Sequence, residues 1–344
     1  MAETANPTTA ASRPLVVLRA DAGGTTGFGH LVRSCALAAY LRSDFDCRIA
    51  GRLDSPEAVP FAMSIIEESG AEPWSLPPGC APARKDYDRA FADSLTGREI
   101  VVLDNYFHSY EYQAEIRRGS RALVSVHDMP GFRTPADVLL TSSPLEREDF
   151  RPDAHTRFYG GIERAMLRAP FLAPTSRAES DSIRRVAICM GGADPLRLIP
   201  KMVEVTHRVL PDVEIDVIAG PTASYRPAPD ARVTLHRNLP AERIAEIYDR
   251  CDLCICPAST SCYEAMARRA PVAVGFFVDN QNIIYDYLSR GAAYDMGDLR
   301  DSPDVLAQRL QDIADSYPRS MAEEVDFRRS ARDTLNIFKE LCSR

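Results

Sequence analysis

Short, continuously apolar runs recur along the whole chain, and stretches with helical spacing fall between most of them. In the first half they are PLVVLRA (14–20), CRIAG (47–51), EIVVLDN (99–105), RALVSVHD (121–128) and DVLLTSS (137–143). In the second half they are RVAICM (185–190), EIDVIAG (214–220), RVTLH (232–236), DLCIC (252–256) and PVAVGFF (271–277). A strand that is apolar on both faces must be covered on both faces, and helices between such strands predict parallel sheets. The helical spacing is clearest over 31–42, where Leu31, Cys35 and Ala38 or Ala39 share a face, and over 110–118.

The alternation breaks once. LRAPFLAPTSRAESDS (167–182) is rich in proline, serine and charge and reads as a linker. The expected organisation is a tail over 1–14 without fixed structure, a Rossmann-like domain over 15–166, the linker, and a second Rossmann-like domain over 183–344. Helical segments over 305–316 and 321–341 close the chain, the last expected to pack back on the first domain. Open parallel sheets bind ligands beyond the carboxyl ends of their strands. Two such domains facing each other put the site in the cleft between them.

Each half carries loops suited to that cleft. In RADAGGTTGFGHLVRS (19–34), four glycines, Gly23, Gly24, Gly27 and Gly29, separate a strand end from a helix. The loop is neither a Walker loop nor G-x-G-x-x-G. His30 falls in the first helical turn, where the partial positive charge favours the unprotonated imidazole that a general base needs. The same histidine reads equally as one that hydrogen-bonds loop carbonyls. Asp21 is the candidate to orient it.

In the second half, MGGADP (190–195) follows a strand. Gly191 and Gly192 offer backbone N–H groups, Pro195 suits a first helical position, and the helix could receive a phosphate. The competing reading is a tight turn with Asp194 as N-cap. Ser259, Thr260 and Ser261 offer hydroxyls and amides to a diphosphate, and Glu264 could accept from ribose hydroxyls. Ser261-x-x-Glu264 is equally a capping box. Asn280 and Gln281 follow the next strand, where their amides reach a ligand or cap a helix. Asp104, Asn105 and Tyr106 end one strand, and His127 and Asp128 another.

Composition bounds the partners. A net charge of −8 argues against a nucleic-acid partner, and no apolar run approaches the ~20 residues of a membrane-spanning helix. Nine cysteines without a framework spacing, and no secretory leader pattern, suit a reducing cytoplasm. Cys251 and Cys254 form a C-x-x-C, but CDLCIC reads as an apolar strand with Cys254 and Cys256 on one face, so neither a metal nor a cofactor is expected.

Arg19-x-Asp21, Gly27-Phe28-Gly29-His30, Arg33 and the following CALAAYL helix resemble the N-terminal motif of the UDP-sugar hydrolases of pseudaminic acid biosynthesis. VVLDNY, YGGIERAMLRAPF, CMGGADP and STSCYEAMARRAPVAVGFFVDNQ follow in the family's order, so the resemblance covers residues 16–296. The second-half blocks are shared with lipid-linked N-acetylglucosaminyltransferases and spore-coat polysaccharide proteins. The resemblance implies a glycosyltransferase-B-like fold, with the nucleotide on the second domain and the sugar on the first. It implies release of UDP from an activated diacetamido-trideoxyhexose by water, with inversion and without a required metal. It maps the base onto His30, a tyrosine onto Tyr106 and the ribose-binding glutamate onto Glu264. The chain departs from the family pattern at His127-Asp128, where paired acidic residues are expected, and in its N-terminal tail. An inverting glycosyltransferase with the same donor site, and a non-catalytic nucleotide-sugar binding protein, are the alternatives.

Overall fold

The computed structural model describes residues 13–23, 27–53, 56–74, 89–175, 177, 180–227, 232–318 and 325–343. The expected tail thus lies almost wholly outside the described residues.

The first half contains β1 (Leu15–Ala20), α1 (Gly29–Leu41), β2 (Asp46–Ala50), α2 (Val59–Ser69), β3 (Glu72–Pro73), α3 (Arg89–Asp93), β4 (Ile100–Asp104), α4 (Tyr110–Gly119), β5 (Ala122–Val126), β6 (Arg133–Thr134), β7 (Val138–Leu140), β8 (Arg151–Pro152) and β9 (Arg157–Tyr159). Seven of these strands form one sheet, ordered β3-β2-β1-β4-β5-β7-β9, and β6 pairs with β8 beside it. The pairing is parallel throughout, with Val16 beside Cys47 on one side and Ile100 on the other.

The second half follows α5 (Ala169–Leu172) with β10 (Arg185–Cys189), α6 (Leu198–Val209), β11 (Glu214–Ala219), β12 (Val233–Arg237), α7 (Ala241–Arg250), β13 (Leu253–Pro257), α8 (Thr260–Ala267), β14 (Val272–Phe276), α9 (Asn282–Leu288), β15 (Tyr294–Asp298), α10 (Pro303–Asp315) and α11 (Arg328–Cys342). Its six-stranded parallel sheet runs β12-β11-β10-β13-β14-β15.

The period-2 geometry of a strand distributes the apolar runs between two faces. In the first sheet Val16, Leu18, Val102 and Val124 join α1 and α2 in one cluster, while Val17, Val101, Leu103 and Leu123 face the other side with Phe91 and Ile116. In the second, Leu253 and Ile255 pack with α6 and α10, while Cys254 and Cys256 lie opposite with Tyr248, Cys251 and Cys262. Among the described residues no group of three or more His, Cys, Asp or Glu is placed to hold a metal ion, and no helix is long and apolar enough to cross a membrane.

The chain crosses between the two cores over 162–167, where Ile162, Ala165 and Leu167 pack in the second and Met166 in the first. The Tyr40 hydroxyl of α1 fixes this crossing, accepting from Leu167 N at 2.8 Å and donating to Leu167 O at 2.7 Å. At the end of the chain α11 returns to the first half, where Ile337, Phe338 and Leu341 pack with α1.

Candidate functional site

The carboxyl ends of both sheets face a cleft of about 510 Å³, walled by residues of both halves. A hollow of about 890 Å³ lies at the opposite end of the second sheet. Ionic groups there pair among themselves: Arg185 with Asp216 at 2.9 Å, and Asp252 with the Arg184 and Arg185 amides at 2.8 and 2.9 Å. The carboxyl-end cleft is the site with chemistry to offer.

Its first wall begins at the glycine loop. Gly23 and Gly27 exchange backbone hydrogen bonds at 3.0 and 2.8 Å, and Gly27 holds φ +76°, a left-handed conformation open to glycine. This turn starts α1 at Gly29 and puts His30 in the first helical turn. His30 is nearly buried, and its Nδ1 lies 2.7 Å from Asp104 Oδ1 at the end of β4.

Asp104 is fully buried and stays ionised. Burial alone would raise its pKa, but the Arg33 charge, His30 and their hydrogen bonds outweigh that and hold it far below the usual carboxylate range. Arg33 Nε donates to Oδ2 at 2.7 Å and Nη2 to Oδ1 at 2.5 Å, and Ser34 Oγ adds a bond at 3.2 Å. An ionised carboxylate only accepts, so His30 Nδ1 carries a proton, and in the neutral ring Nε2 is then the nitrogen with the lone pair. This assignment rests on the hydrogen-bond network.

Arg33 also binds Asp128 at the end of β5. Asp128 accepts in addition from Thr141 Oγ1 at 3.1 Å and Ser142 N at 3.2 Å. Burial raises this carboxyl, Arg33 pulls it down, and the net shift is downward. One guanidinium thus joins the ends of α1, β4 and β5 behind His30. The Tyr106 ring meets the imidazole edge-on at 4.7 Å, and burial, helped by Asp128, pushes its hydroxyl up to about 12, so it remains a donor at neutral pH.

Two sequence expectations for this wall are corrected. Asp21 does not orient His30. It pairs with Arg19, accepts from Arg52 N at 2.8 Å and from Asn105 Nδ2 at 3.0 Å, and so ties β1 to the chain after β2. Arg19 is buried against Asp21 and Ala50 O at 3.3 Å, and neither residue lines the cleft. Asp104 takes the role given to Asp21. Its sign in the sequence was a carboxylate ending a fully apolar strand.

The second wall carries the remaining candidates. Gly191 has φ +80°, and Gly192 packs under the Phe28 ring of the first wall, closely enough that a Cβ there would lie 2.8 Å from the ring. The helix after this turn does not start at Pro195. The Asp194 carboxylate accepts from Leu198 N at 2.7 Å and Ile199 N at 3.2 Å, so α6 begins at Leu198 and its free amides are taken. Asp194 caps from outside the helix, and a phosphate near Gly192 is left the turn amides only.

The start of α8 is different. Ser259 is the N-cap, its side chain makes no capping bond, and Thr260 and Ser261 fill the first turn at the cleft wall. The Ser261–Glu264 capping box does not form. Glu264 Oε1 instead accepts from Arg168 Nη2 at 2.9 Å and Nε at 3.3 Å. Burial raises the Glu264 carboxyl above the ordinary glutamate range although Arg168 pulls it down. Gln281 Oε1 takes Phe277 N at 2.9 Å and shapes its own loop, whereas Asn280 Nδ2 reaches across the cleft to Tyr106 Oη at 3.4 Å. His30, Arg33, Tyr106, Gly27, Gly29, Gly191, Gly192, Ser259, Thr260, Ser261, Glu264, Asn280 and Gln281 all line this one cleft.

Arg168 and Tyr248 also line it and were not among the sequence candidates. Arg168 read as part of the linker, and Tyr248 belongs to no motif singled out in the sequence. Tyr248 is fully buried, and its hydroxyl has no hydrogen-bond partner among the described residues.

No protein-family profile matches the chain. An uncharacterized protein of Methanocaldococcus jannaschii is 23% identical over 294 residues, covering 80% of this chain; the chain spans 58% of that relative's length. Among solved structures, MurG of Acinetobacter baumannii superposes with a TM-score of 0.59 at 14% identity, covering 95% of this chain and 99% of that one. The glycosyltransferase of kitacinnamycin superposes at 0.59 and 13%, covering 96% and 99%. The spinosyn rhamnosyltransferase SpnG, complexed with thymidine diphosphate, superposes at 0.55 and 15%, covering 95% and 96%. The chain has the two-domain glycosyltransferase-B-like fold, with parallel α/β sheets facing a shared cleft.

Proposed function

We propose that the protein hydrolyses a nucleotide sugar, releasing a nucleoside diphosphate by attack of water at the anomeric carbon with inversion. The observation that carries this reading is the His30–Asp104–Arg33 array on one wall of the cleft, opposite the uncapped start of α8 on the other. A base must hold a lone pair toward the reacting atoms while its other nitrogen is fixed. His30 meets that requirement through Asp104.

In the reaction, water forms a bond to the anomeric carbon and gives its proton to His30 Nε2. The bond from that carbon to the diphosphate oxygen breaks, and its electron pair leaves on the diphosphate. Asp104 offsets the imidazolium charge, and Arg33 keeps Asp104 ionised. The amides at the start of α8 and the Gly191–Ala193 turn meet the charge developing on the leaving group. Tyr106 and Asn280, joined across the cleft, are placed for the sugar, and Glu264 for the ribose. The bound nucleotide of the structural relative SpnG favours a pyrimidine diphosphate here. The motif resemblance favours UDP carrying a diacetamido-trideoxyhexose, and a place in pseudaminic acid biosynthesis in the cytoplasm.

A second reading is an inverting glycosyltransferase, in which an acceptor hydroxyl replaces water. Phe107 at 52% and Val278 at 39% exposure are apolar side chains at the cleft wall that an acceptor would cover. That the structural relatives are glycosyltransferases favours this reading equally. A panel of UDP-sugars incubated without acceptor, with products followed by NMR, separates them. Hydrolysis predicts UDP and a free sugar of inverted configuration. UDP release only upon adding an acceptor supports transfer, and binding without turnover under either condition supports a binding protein.

A further inference from the structure

The nucleotide wall contains a charge contributed by the segment that joins the two halves. Arg168 lies at the crossing between the two cores, one residue after Leu167, and its guanidinium reaches Glu264 Oε1 through two nitrogens. Both side chains are nearly buried, at 13% and 6% exposure. The guanidinium is also held over the Phe171 ring, 5.1 Å from its centroid. The groups facing the Glu264 carboxylate are Arg168 from the crossing, Tyr248 of α7, Cys189 of β10 and Cys254 of β13. The burial that raises Glu264 raises the tyrosine and the Cys189 thiol as well, and a hydrogen bond with Cys256, together with burial, raises Cys254, so these three stay neutral. Arg168 is the one charge in that set.

A carboxylate in such surroundings, without a cation, takes up a proton and ceases to be a pure acceptor. We propose that Arg168 is a positioning residue for the nucleotide site: it keeps Glu264 ionised and aimed, so that the carboxylate can accept hydrogen bonds from ligand hydroxyls. This rests on the reading of the cleft as a nucleotide-sugar site. It makes the chain crossing part of the binding machinery and links the geometry of the two halves to nucleotide affinity. Lysine would preserve the charge but lose the two-nitrogen grip. Methionine would keep the apolar stem and lose the charge.

The test uses the full chain as wild type, Arg168→Met, Arg168→Lys and Glu264→Gln. The carboxyl ¹³C of Glu264 is titrated without ligand in protein labelled at glutamate, and assigned by its loss in Glu264→Gln. UDP affinity is measured by calorimetry across the same pH range, with Glu264→Gln reporting the titration of UDP itself. The expected result is that Arg168→Met moves the Glu264 titration upward by roughly one to three pH units. The acid loss of UDP affinity moves with it, and Arg168→Lys restores most of both. An unmoved Glu264 titration overturns the inference, as does an affinity loss that is equal at every pH. If UDP binds wild type and Glu264→Gln equally, Glu264 is not in the nucleotide site and the placement of the ribose fails separately.

Discussion

Replacing Asp104 with alanine tests the support behind His30. The carboxylate accepts from Arg33 Nε and Nη2, from His30 Nδ1 and from Ser34, and it is wholly buried. Its removal leaves the buried Arg33 guanidinium with Asp128 as its remaining acidic partner. Breaking a buried pair from one side costs about 3–5 kcal/mol; with Asp128 still compensating the Arg33 charge, the cost falls at the lower end and comes from the buried donors left without an acceptor. At about 2–4 °C per kcal/mol for a cooperative unit of 150–250 residues, the melting temperature should fall by on the order of 10 °C. The chemical effect is distinct. Nothing then holds the ring proton on Nδ1, and nothing offsets an imidazolium, so turnover should fall by about 10³–10⁴. Nitrogen-15 NMR of labelled histidine reads the tautomer directly without substrate. Wild type should show His30 protonated at Nδ1, and the variant should populate both forms. A variant that keeps the Nδ1–H tautomer and more than about a tenth of the parent kcat refutes the reasoning, whatever happens to its stability.

The remaining expectations follow from the same geometry. Because the folded-state pKa of Asp104 lies below its unfolded value, its ionisation contributes stability above about pH 4 that is lost only as pH falls through the folded value. The stability gap between wild type and Asp104→Ala in thermal melts should therefore narrow as pH falls below about 4. A Cβ at Gly220 would lie 2.0 Å from the Gly192 carbonyl oxygen, whereas a Cβ at Gly192 meets the Phe28 ring, which can turn. Gly220→Ala should then cost more than the roughly 1–3 kcal/mol of an ordinary overpacking change, and Gly192→Ala less, by urea unfolding. Tyr248→Phe deletes a buried hydroxyl that has no partner among the described residues, an arrangement costing about 1–3 kcal/mol. Its melting temperature should stay level or rise, and a fall shows that the hydroxyl is paired in solution.

The sheets were legible because strands such as IVVLD in β4 and LCICP in β13 are buried along their whole length and leave an uninterrupted apolar signal. The first helix was read within two residues of its bounds from the spacing of Leu31, Cys35 and Ala38, although burial runs nearly all round it over 33–38. The loops at the cleft were legible as loops, since glycine and serine clusters mark strand ends. Partnerships within the site were not. Asp21 stands nine residues before His30 in the chain and was the nearest carboxylate, yet the β1–β2 geometry gives it to Arg19 and the Arg52 amide. Asp104 stands 74 residues away and reaches His30 only because β4 pairs with β1. Arg33, three residues after His30, shares its helix face, and that spacing was the local hint of a common partner. The two readings of Glu264, ribose acceptor and capping box, have the same spacing. The choice turns on Arg168, which lies 96 residues away in a segment whose composition marks it as a linker. Pro195 misplaced the start of α6, because Asp194 adopts φ +44° and caps from four residues upstream.

The central claim is that His30 removes a proton from the attacking nucleophile. The direct measurement is single-turnover release of UDP from the UDP-sugar that wild type cleaves fastest, compared with His30→Gln, with binding of UDP followed in parallel. The account predicts UDP affinity within about twofold of wild type and a rate reduced by about 10²–10⁴. Release from the variant at the parent rate, with the same inverted product, contradicts it.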